Sequence, residues 1–245
     1  MLILQYSLQK ILIAYCHQFA YGATSLKMKP VLKAKHNYTA EEDGMSRVIV
    51  WVLVTLDGYF EGEKKWDLDH HGEAWGEELQ ALSMSFGQSA AALVFGRVTY
   101  EGMKAHWTSA DAADEPEVTA FMNALPKLVA SRTLTSSDWN NTRVTDDISG
   151  AIRELKANAE PGKNIYIFGS ADLSASLLKE GLIDELMLGV VPVQLEKGTP
   201  FFKPGSGRRR FTLIESRPLS NGTLILRYTP DQNPADTPEQ FNAHS

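Results

Sequence analysis

Two short segments combine glycine, hydroxyl and cationic side chains in a way that could hold phosphate groups. Gly96-Arg97-Val98-Thr99 and Gly169-Ser170-Ala171 each follow a short apolar run. If a helix begins after each glycine, its first N–H groups and its positive dipole end face an anion. Arg97 could bind phosphate oxygens through two parallel hydrogen bonds, and Thr99 could add a hydroxyl. Each segment alone is typical of an ordinary strand-to-helix connection, but two in one chain favour a ligand with several phosphates.

Other common catalytic and metal-binding motifs are missing from the sequence. It contains no G-x-G-x-x-G, Walker or G-x-S-x-G pattern. The lone Cys16 excludes an intramolecular disulfide framework and a multi-cysteine metal site. The polar cluster of Asp67, Asp69, His70 and His71 has no spacing typical of helical metal ligands, so we interpret it as a solvated loop and predict no metal site.

Charge and hydropathy argue against nucleic-acid and membrane partners. The net charge of −6 gives no general basic field for nucleic acid. The run Arg208-Arg209-Arg210 lies beside a glycine turn and is interpreted as a solvated approach to a hairpin. No apolar stretch approaches the roughly 20 residues that a membrane span needs. A small-molecule ligand is therefore favoured.

Residues 1–44 differ from the rest of the chain. They carry five lysines, three acidic residues and the only cysteine, while the remainder carries 19 basic and 27 acidic residues. Met45 stands just before the first apolar run. We interpret 1–44 as an extension and leave three alternatives open: a disordered tail or upstream translation start, a targeting segment, or an extra helix. The domain is predicted at 45–230, and 231–245 is predicted to be a flexible tail.

Within the predicted domain, strand and helix patterns alternate. Apolar periodicity places Leu79 and Phe86 on one helix, and Asp146 and Ser170 could begin two later helices. Gly181 suits the left-handed position that ends a helix. Strands are predicted at 47–54, 90–95, 127–131, 164–168 and 186–193, with a closing hairpin of 211–215 and 223–228. This pattern predicts a single-domain α/β fold with a mixed, mostly parallel central sheet, flanking helices and a C-terminal antiparallel hairpin. Ligands of such sheets bind beyond the carboxyl ends of the strands, where both glycine segments fall.

Five segments in order resemble the dihydrofolate reductase superfamily. Its closest branch is the C-terminal reductase domain of the bifunctional riboflavin enzyme RibD, and the resemblance covers about 47–229. The matching segments are Thr55-Leu56-Asp57-Gly58-Tyr59, Phe95-Gly96-Arg97-Val98-Thr99-Tyr100-Glu101, Val129-Ala130-Ser131-Arg132, Gly169-Ser170-Ala171-Asp172-Leu173 with 181–186, and 191–202. Each motif is weak alone, whereas five in the family's order are specific.

The resemblance implies an NADPH-dependent reductase and assigns residues to its cofactor. The implied cofactor-binding residues are Gly96, Arg97, Thr99, Ser131, Arg132, Phe168, Gly169, Ser170, Ala171 and Leu173. Ser131 and Arg132 would face the adenosine 2′-phosphate and so favour NADPH over NADH. The chain departs from the family by having Phe168-Gly169-Ser170 where dihydrofolate reductases have paired glycines.

The same resemblance implies where the substrate would lie. Thr55, Asp57, Gly58 and Trp66 are the implied substrate-binding residues, and Asp57 is the implied catalytic residue. The acid that assists folate reduction has no firm match. Five carboxylates remain open for that role: Asp67, Asp69, Glu73, Glu77 and Glu78.

Taken together, these features predict a cytoplasmic enzyme, with a homodimer implied by the family alone. The implied activity is NADPH-dependent reduction of a small heteroaromatic substrate, resembling the 5-amino-6-(5-phosphoribosylamino)uracil reductase domain of riboflavin biosynthesis. Two alternatives stay open. One is a dihydrofolate reductase-type pterin reductase, and the other is a nucleotide-binding protein on the same fold without turnover.

Overall fold

The computed structural model describes residues 45–109 and 116–231 of the 245-residue chain. The predictions for the extension at 1–44 and for the tail beyond residue 231 lie outside the described residues. No helix in the described ranges is both long and apolar enough to cross a membrane.

An eight-stranded mixed sheet forms the centre of the protein. Its strands are β1 (Val48–Thr55), β3 (Ala90–Gly96), β4 (Lys127–Ala130), β5 (Thr142–Thr145), β6 (Asn164–Phe168), β7 (Glu185–Val191), β9 (Phe211–Pro218) and β10 (Leu224–Pro230). They stand in the order β5-β4-β3-β6-β1-β7-β10-β9. The first six in this order are parallel, whereas β10 runs antiparallel to both β7 and β9. The predicted fold class, including the C-terminal hairpin, is confirmed.

A short antiparallel ribbon lies beside the main sheet. It pairs β2 (Tyr59–Glu61) with β8 (Thr199–Pro200). Neither strand was predicted, because runs of three and two half-buried residues are too short to show a period of two. The four residues of β5 were missed for the same reason.

Helices cover both faces of the main sheet. The six helices of the described ranges are α1 (His71–Ala74), α2 (Glu77–Ser89), α3 (Arg97–Trp107), α4 (Pro116–Ala124), α5 (Ile148–Asn158) and α6 (Ala171–Lys179). Leu79 of α2, Tyr100 of α3 and Met122 of α4 pack into one apolar core. Ile152 of α5 and Leu177 of α6 pack into the core on the other side of the sheet. Burial on both faces explains why the β1 sequence VIVWVLVT is almost continuously apolar.

One of the three predicted helix ends, at Gly181, is confirmed. The two predicted side-chain N-caps, Asp146 and Ser170, differ from what the structure shows. Gly181 has φ +66° and ends α6, where the N–H of Leu182 donates to the Leu177 carbonyl at 3.0 Å. The cap of α5 is Asp147, whose Oδ1 accepts from the Gly150 N–H at 2.9 Å, so the prediction of Asp146 was wrong by one residue. Ser170 stands at the N-cap position of α6, but its hydroxyl makes no capping hydrogen bond to that helix.

Candidate active site

A cleft of about 1110 Å³ opens over the carboxyl ends of β3, β4 and β6 and along α3. Lining residues of α3 run from Arg97 through Gly102 to Trp107. A helical rise of 1.5 Å per residue puts the two outer residues about 15 Å apart. We call the part near Arg97 the junction end and the part near Trp107 the aromatic end.

The junction end is shaped by two consecutive left-handed residues. Gly169 has φ +58° and Ser170 has φ +53°. The Ser170 hydroxyl accepts from the Gly96 N–H at 3.1 Å and donates to the Phe168 carbonyl at 3.3 Å. These bonds join the carboxyl ends of β3 and β6 across 74 residues of sequence. A left-handed conformation at a non-glycine residue costs energy and is concentrated at functional sites. The N–H of Gly169 donates to the Trp51 carbonyl at 2.9 Å, which fixes the turn against β1.

Two exposed arginines stand at the junction end, where they can meet an anion. Arg97 is 44% exposed and donates to the Glu101 carboxylate at 2.8 Å, an exposed pair that a ligand can replace at little cost. Arg132 is exposed and has no hydrogen-bond or ion-pair partner within 45–109 and 116–231. The Ser131 hydroxyl accepts from the N–H of Leu134 at 2.9 Å and so fixes the turn that carries Arg132.

The structure brings all the predicted cofactor-binding residues to this one cleft. The ten that line it are Gly96, Arg97, Thr99, Ser131, Arg132, Phe168, Gly169, Ser170, Ala171 and Leu173. Their roles stay predictions, but their common location is a consequence of the fold. Asp146 and Asp172 also line this end, and Asp172 forms an ion pair with Lys203.

Substituting Gly169 tests how far the junction depends on its backbone. A Cβ at Gly169 would meet no atom within 4 Å, so only the φ of +58° opposes a side chain. Gly169→Ala is expected to lower the free energy of unfolding by about 1–2 kcal/mol in urea titrations. Gly72→Ala is the matched control, because Gly72 also faces open space but lacks a positive φ. Equal losses in the two variants would contradict the assignment of strain to residue 169.

The aromatic end is lined by rings from helices, strands and a loop. Trp51 and Phe86 have ring centroids 5.4 Å apart, and Phe168 lies 6.1 Å from Phe86. Trp66 rests against α3, where a Cβ at Gly102 would lie 2.0 Å from the indole ring. Glycine at 102 is therefore needed for this close approach, and the predicted substrate residue Trp66 does line the cleft.

Glu61 holds Trp66 in place. Its Oε1 accepts from the Trp66 N–H at 2.5 Å, and its Oε2 accepts from the Thr199 hydroxyl at 3.2 Å. Trp66 has φ +64°, a left-handed conformation that the Glu61 hydrogen bond helps to retain. The sequence did not indicate Glu61, because its position in the cleft depends on the unpredicted ribbon of β2 and β8.

Three predicted substrate residues, Thr55, Asp57 and Gly58, are not among the residues that line the cleft. The Thr55 hydroxyl donates to Asp57 Oδ1 at 2.6 Å, and the Glu196 N–H donates to Asp57 Oδ2 at 2.8 Å. Slight desolvation tends to raise the pKa of Asp57, but hydrogen bonds from Thr55, Glu196 and Leu195 lower it overall. Asp57 thus joins two loops as a carboxylate, and its catalytic role stays a prediction.

None of the five carboxylates left open as proton donors is among the residues that line the cleft. Glu78 accepts from the Ser220 N–H at 2.7 Å, and hydrogen bonding by Ser220 lowers its pKa. Asp67, Asp69, Glu73 and Glu77 complete the group. Among residues 45–109 and 116–231, no cluster of three or more His, Cys, Asp or Glu side chains could hold a metal ion.

Three buried ring nitrogens have no hydrogen-bond partner in the described part of the chain: His70 Nε2, His71 Nε2 and Trp107 Nε1. Of these three residues, His71 and Trp107 line the cleft. The His71 ring meets His70 edge-on at 4.7 Å. Burial, followed by repulsion from His70, lowers the pKa of His71 to about 3. His71 is therefore a neutral imidazole at physiological pH. Neither residue was predicted to form part of the site.

The buried imidazole makes stability depend on pH. His71 has a pKa of about 3 when folded and about 6.5 when unfolded. Because the unfolded chain binds the additional proton, stability is present above pH 6.5 and falls as the pH drops toward 3. We expect a loss of about 1.4 kcal/mol per pH unit in that window, measured by urea unfolding.

The His71→Phe variant isolates this effect from other acid-sensitive groups. It should show a smaller loss over the same pH window, because the buried group no longer titrates. Some slope remains from His70, whose pKa is also lowered by burial, although Asp67 and Asp69 oppose that shift. An unchanged slope in the variant would show that His71 does not titrate as its burial predicts.

Most of the sequence matches the model of a known protein family. The sequence model of the RibD C-terminal domain matches residues 46–225. The chain belongs to the RibD C-terminal domain family. It is 27% identical over 186 residues to the uncharacterized protein YyaP of Bacillus subtilis, which covers 74% of this chain and 94% of YyaP.

Solved structures share the RibD C-terminal domain fold. A protein of Shewanella sp. PV-4 proposed to act in riboflavin biosynthesis has a TM-score of 0.57 and 22% identity, covering 76% of this chain and 99% of its own. Acinetobacter baumannii RibD has a TM-score of 0.53 and 18% identity, covering 77% of this chain and 59% of the RibD chain. At sequence identities of 22% and 18%, the similarity shows a shared fold and does not identify a ligand.

Proposed function

We propose that this protein is an NADPH-dependent reductase of a small heteroaromatic substrate. The observation that carries the proposal is one continuous cleft with two strand-to-helix glycine junctions and two exposed arginines at one end and aromatic rings at the other. Its volume of about 1110 Å³ exceeds the roughly 300–1,000 Å³ of a site for one small ligand. A cleft of this size and polarity suits a dinucleotide and a second, flatter molecule side by side.

The junction end fits the phosphates of the cofactor. The left-handed turn at Gly169 and Ser170 lines the cleft at the start of α6, and a Cβ at Gly169 would meet no atom within 4 Å. Arg97 stands at the start of α3 and can exchange Glu101 for a phosphate oxygen. Arg132 supplies an unpaired guanidinium for a further phosphate, which supports NADPH over NADH.

In this proposal the residues of the chain bind and orient the reactants, and the cofactor supplies the hydride. When bound, NADPH supplies the hydride, so that NADPH, one proton and the oxidised ring give NADP⁺ and the reduced ring. Glu61 and Gly102 keep Trp66 on the cleft wall, and the rings of Trp51, Phe86 and Phe168 exclude water there. In this proposal the proton comes from solvent at the open side of the cleft.

A thermal-shift comparison of NADPH, NADH and no ligand tests the cofactor first. At a ligand concentration about 100 times Kd, NADPH should stabilise the protein by about 2.7 kcal/mol. Oxidation of NADPH is then followed by absorbance with pterin, pyrimidine and flavin substrates. The absence of a shift with either cofactor would refute the proposed function.

A nucleotide-binding protein without turnover is the second candidate. It is favoured by the placement of Asp57 outside the cleft lining and by the two hydrogen bonds that engage Glu61. NADPH binding without oxidation across the substrate series would support it. The cytoplasmic location and the homodimer stay predictions.

Arg132→Ala tests which cofactor the junction end prefers. We expect about a tenfold rise in the Kd of NADPH, since one charge-assisted hydrogen bond is lost. The Kd of NADH should be unchanged and serves as the internal control, because NADH lacks the 2′-phosphate. Isothermal titration calorimetry measures both constants, and equal losses for the two cofactors would place Arg132 elsewhere along the dinucleotide.

A further inference from the structure

The aromatic end is apolar over most of its wall. The residues from α2, the second half of α3 and α4 that line it are Leu79, Ser83, Phe86, Gly102, Met103, His106, Trp107, Val118, Phe121 and Met122. Ser83 donates its hydroxyl to the Leu79 carbonyl at 3.0 Å. None of these helical residues is a lysine or an arginine. The walls therefore suit a flat, apolar ring face better than a charged group.

No lysine or arginine among the described residues of the cleft is buried at the aromatic end. Arg97 and Arg132 belong to the junction end, and Lys203 is paired with Asp172. Lys65 is an exposed residue of the loop before Trp66. His71 is neutral near pH 7 because burial lowers its pKa to about 3. A phosphate dianion at the aromatic end would lose water without gaining a buried cation, which is unfavourable.

The polar atoms that remain match the edge of a heterocycle. The Trp107 Nε1–H can only donate, and it needs a ring oxygen or nitrogen as its acceptor. Neutral His71 can accept or donate through Nε2, depending on its tautomer. Buried polar atoms of this kind are normally hydrogen-bonded in folded proteins. Two such atoms beside one ligand cleft are explained if a ligand completes their hydrogen bonds.

We propose that the aromatic end takes a planar heteroaromatic ring without a phosphate group, hydrogen-bonded at its edge by Trp107 and His71. This inference rests on the proposed reductase function and narrows its substrate class. It separates the substrate of this chain from a phosphoribosylated pyrimidine. The ring faces pack against the aromatic wall, and the phosphates in the cleft are those of the cofactor.

Matched ligand pairs test the inference directly. Riboflavin and its 5′-phosphate differ by one phosphate, as do 5-amino-6-(5-phosphoribosylamino)uracil and its dephosphorylated form. Binding to the NADP⁺-saturated protein is measured by quenching of tryptophan fluorescence at about pH 8, where an ordinary histidine is neutral. We expect the phosphate-free member of at least one pair to bind at least about tenfold more tightly than its partner.

The outcomes separate this inference from the proposed function. Equal or tighter binding of the phosphorylated members would overturn the inference, and so would failure of both phosphate-free members to bind. Either result, obtained with NADP⁺ bound, leaves the reductase proposal intact. Failure of NADP⁺ or NADPH to bind would instead refute that proposal at its first step.

A variant of Trp107 tests the proposed hydrogen bond at the edge of the ring. Trp107→Phe keeps a ring but removes the Nε1–H, and it should weaken binding of the phosphate-free ligand about tenfold while leaving NADP⁺ binding unchanged. Tyr59→Phe is the matched control, because its hydroxyl bonds the Glu196 carbonyl at 3.2 Å outside the cleft lining. Equal effects of the two variants on binding would contradict a role for Trp107 Nε1.

Met103→Lys tests the missing cation. Met103 lines the cleft on α3, and a lysine there places a positive charge in the aromatic end. We expect the phosphorylated ligand of a pair to gain at least about tenfold in affinity relative to its partner. If Lys65 already binds the phosphate, Lys65→Ala would instead weaken the phosphorylated ligand selectively, and that result would overturn the inference.

Discussion

Replacing Arg97 with alanine is expected to raise the Kd of NADPH about tenfold to a hundredfold. A hydrogen bond to a charged group contributes about 1.5–3 kcal/mol, and each 1.4 kcal/mol corresponds to about tenfold in affinity. Arg97 is 44% exposed, so its effect should lie nearer the lower limit and should decrease at high salt. Titration calorimetry at low and high ionic strength measures both features.

Arg143→Ala is the control for this experiment. Arg143 is also an exposed arginine bonded to a glutamate, with Nη1 2.7 Å from Glu154 Oε2, but it does not line the cleft. Its loss should leave the Kd of NADPH unchanged. Glu101→Gln should leave that Kd unchanged or lower it, since the carboxylate competes with phosphate for Arg97. If Arg97→Ala and Arg143→Ala have the same effect, Arg97 does not contact the cofactor.

Replacing Glu185 with alanine is expected to lower the free energy of unfolding by about 3–5 kcal/mol. The Glu185 side chain is fully buried, and its Oε1 lies 2.5 Å from Arg227 Nε. Its Oε2 lies 2.9 Å from Arg47 Nη1. Hydrogen bonding by Glu185 holds the pKa of Arg227 above its ordinary value. Removing the carboxylate leaves the positive charges of two half-buried guanidinium groups largely uncompensated. These groups lie where β7 pairs with β1 and β10.

Glu215→Ala is the matched control for the stability effect. Glu215 bonds the same Arg227 at 3.0 Å, but its side chain is 45% exposed. Its removal should cost less than about 1 kcal/mol, as for other exposed ion pairs. Urea unfolding monitored by tryptophan fluorescence compares the two variants. Similar losses would show that burial of Glu185 is not what makes the interaction strong.

Local sequence patterns were enough to predict seven of the eight strands of the main sheet and both glycine junctions. The β-branched run of β1 and the alternation of strands and helices are properties of neighbouring residues, so they can be read without tertiary contacts. Gly181 likewise ends α6 through bonds within five residues. The short strands β2, β5 and β8 were not predictable, because they form only where longer strands or loops pair with them.

The aromatic end could not be predicted from local sequence patterns, because it depends on tertiary contacts. His71 and Trp107 carry no recognisable motif, and their nitrogens matter only because the fold buries them without partners beside one cleft. Asp57 lies in a family-like motif, yet the structure engages it with Glu196, 139 residues away. Residue type alone could not separate a carboxylate that joins loops from one that contacts a substrate.

The sequence by itself determined that this chain has two strand-to-helix junctions suited to phosphate, in a single acidic α/β domain. Those junctions depend on glycine conformation and helix dipoles, which are local properties. Only the tertiary structure decided that the junctions share one cleft, through the Ser170 hydroxyl on the Gly96 N–H. It also decided that the cleft continues along α3 to an aromatic end without buried lysine or arginine among the described lining residues. Contacts between distant segments set those features, because packing and pairing bring together groups that the sequence keeps apart.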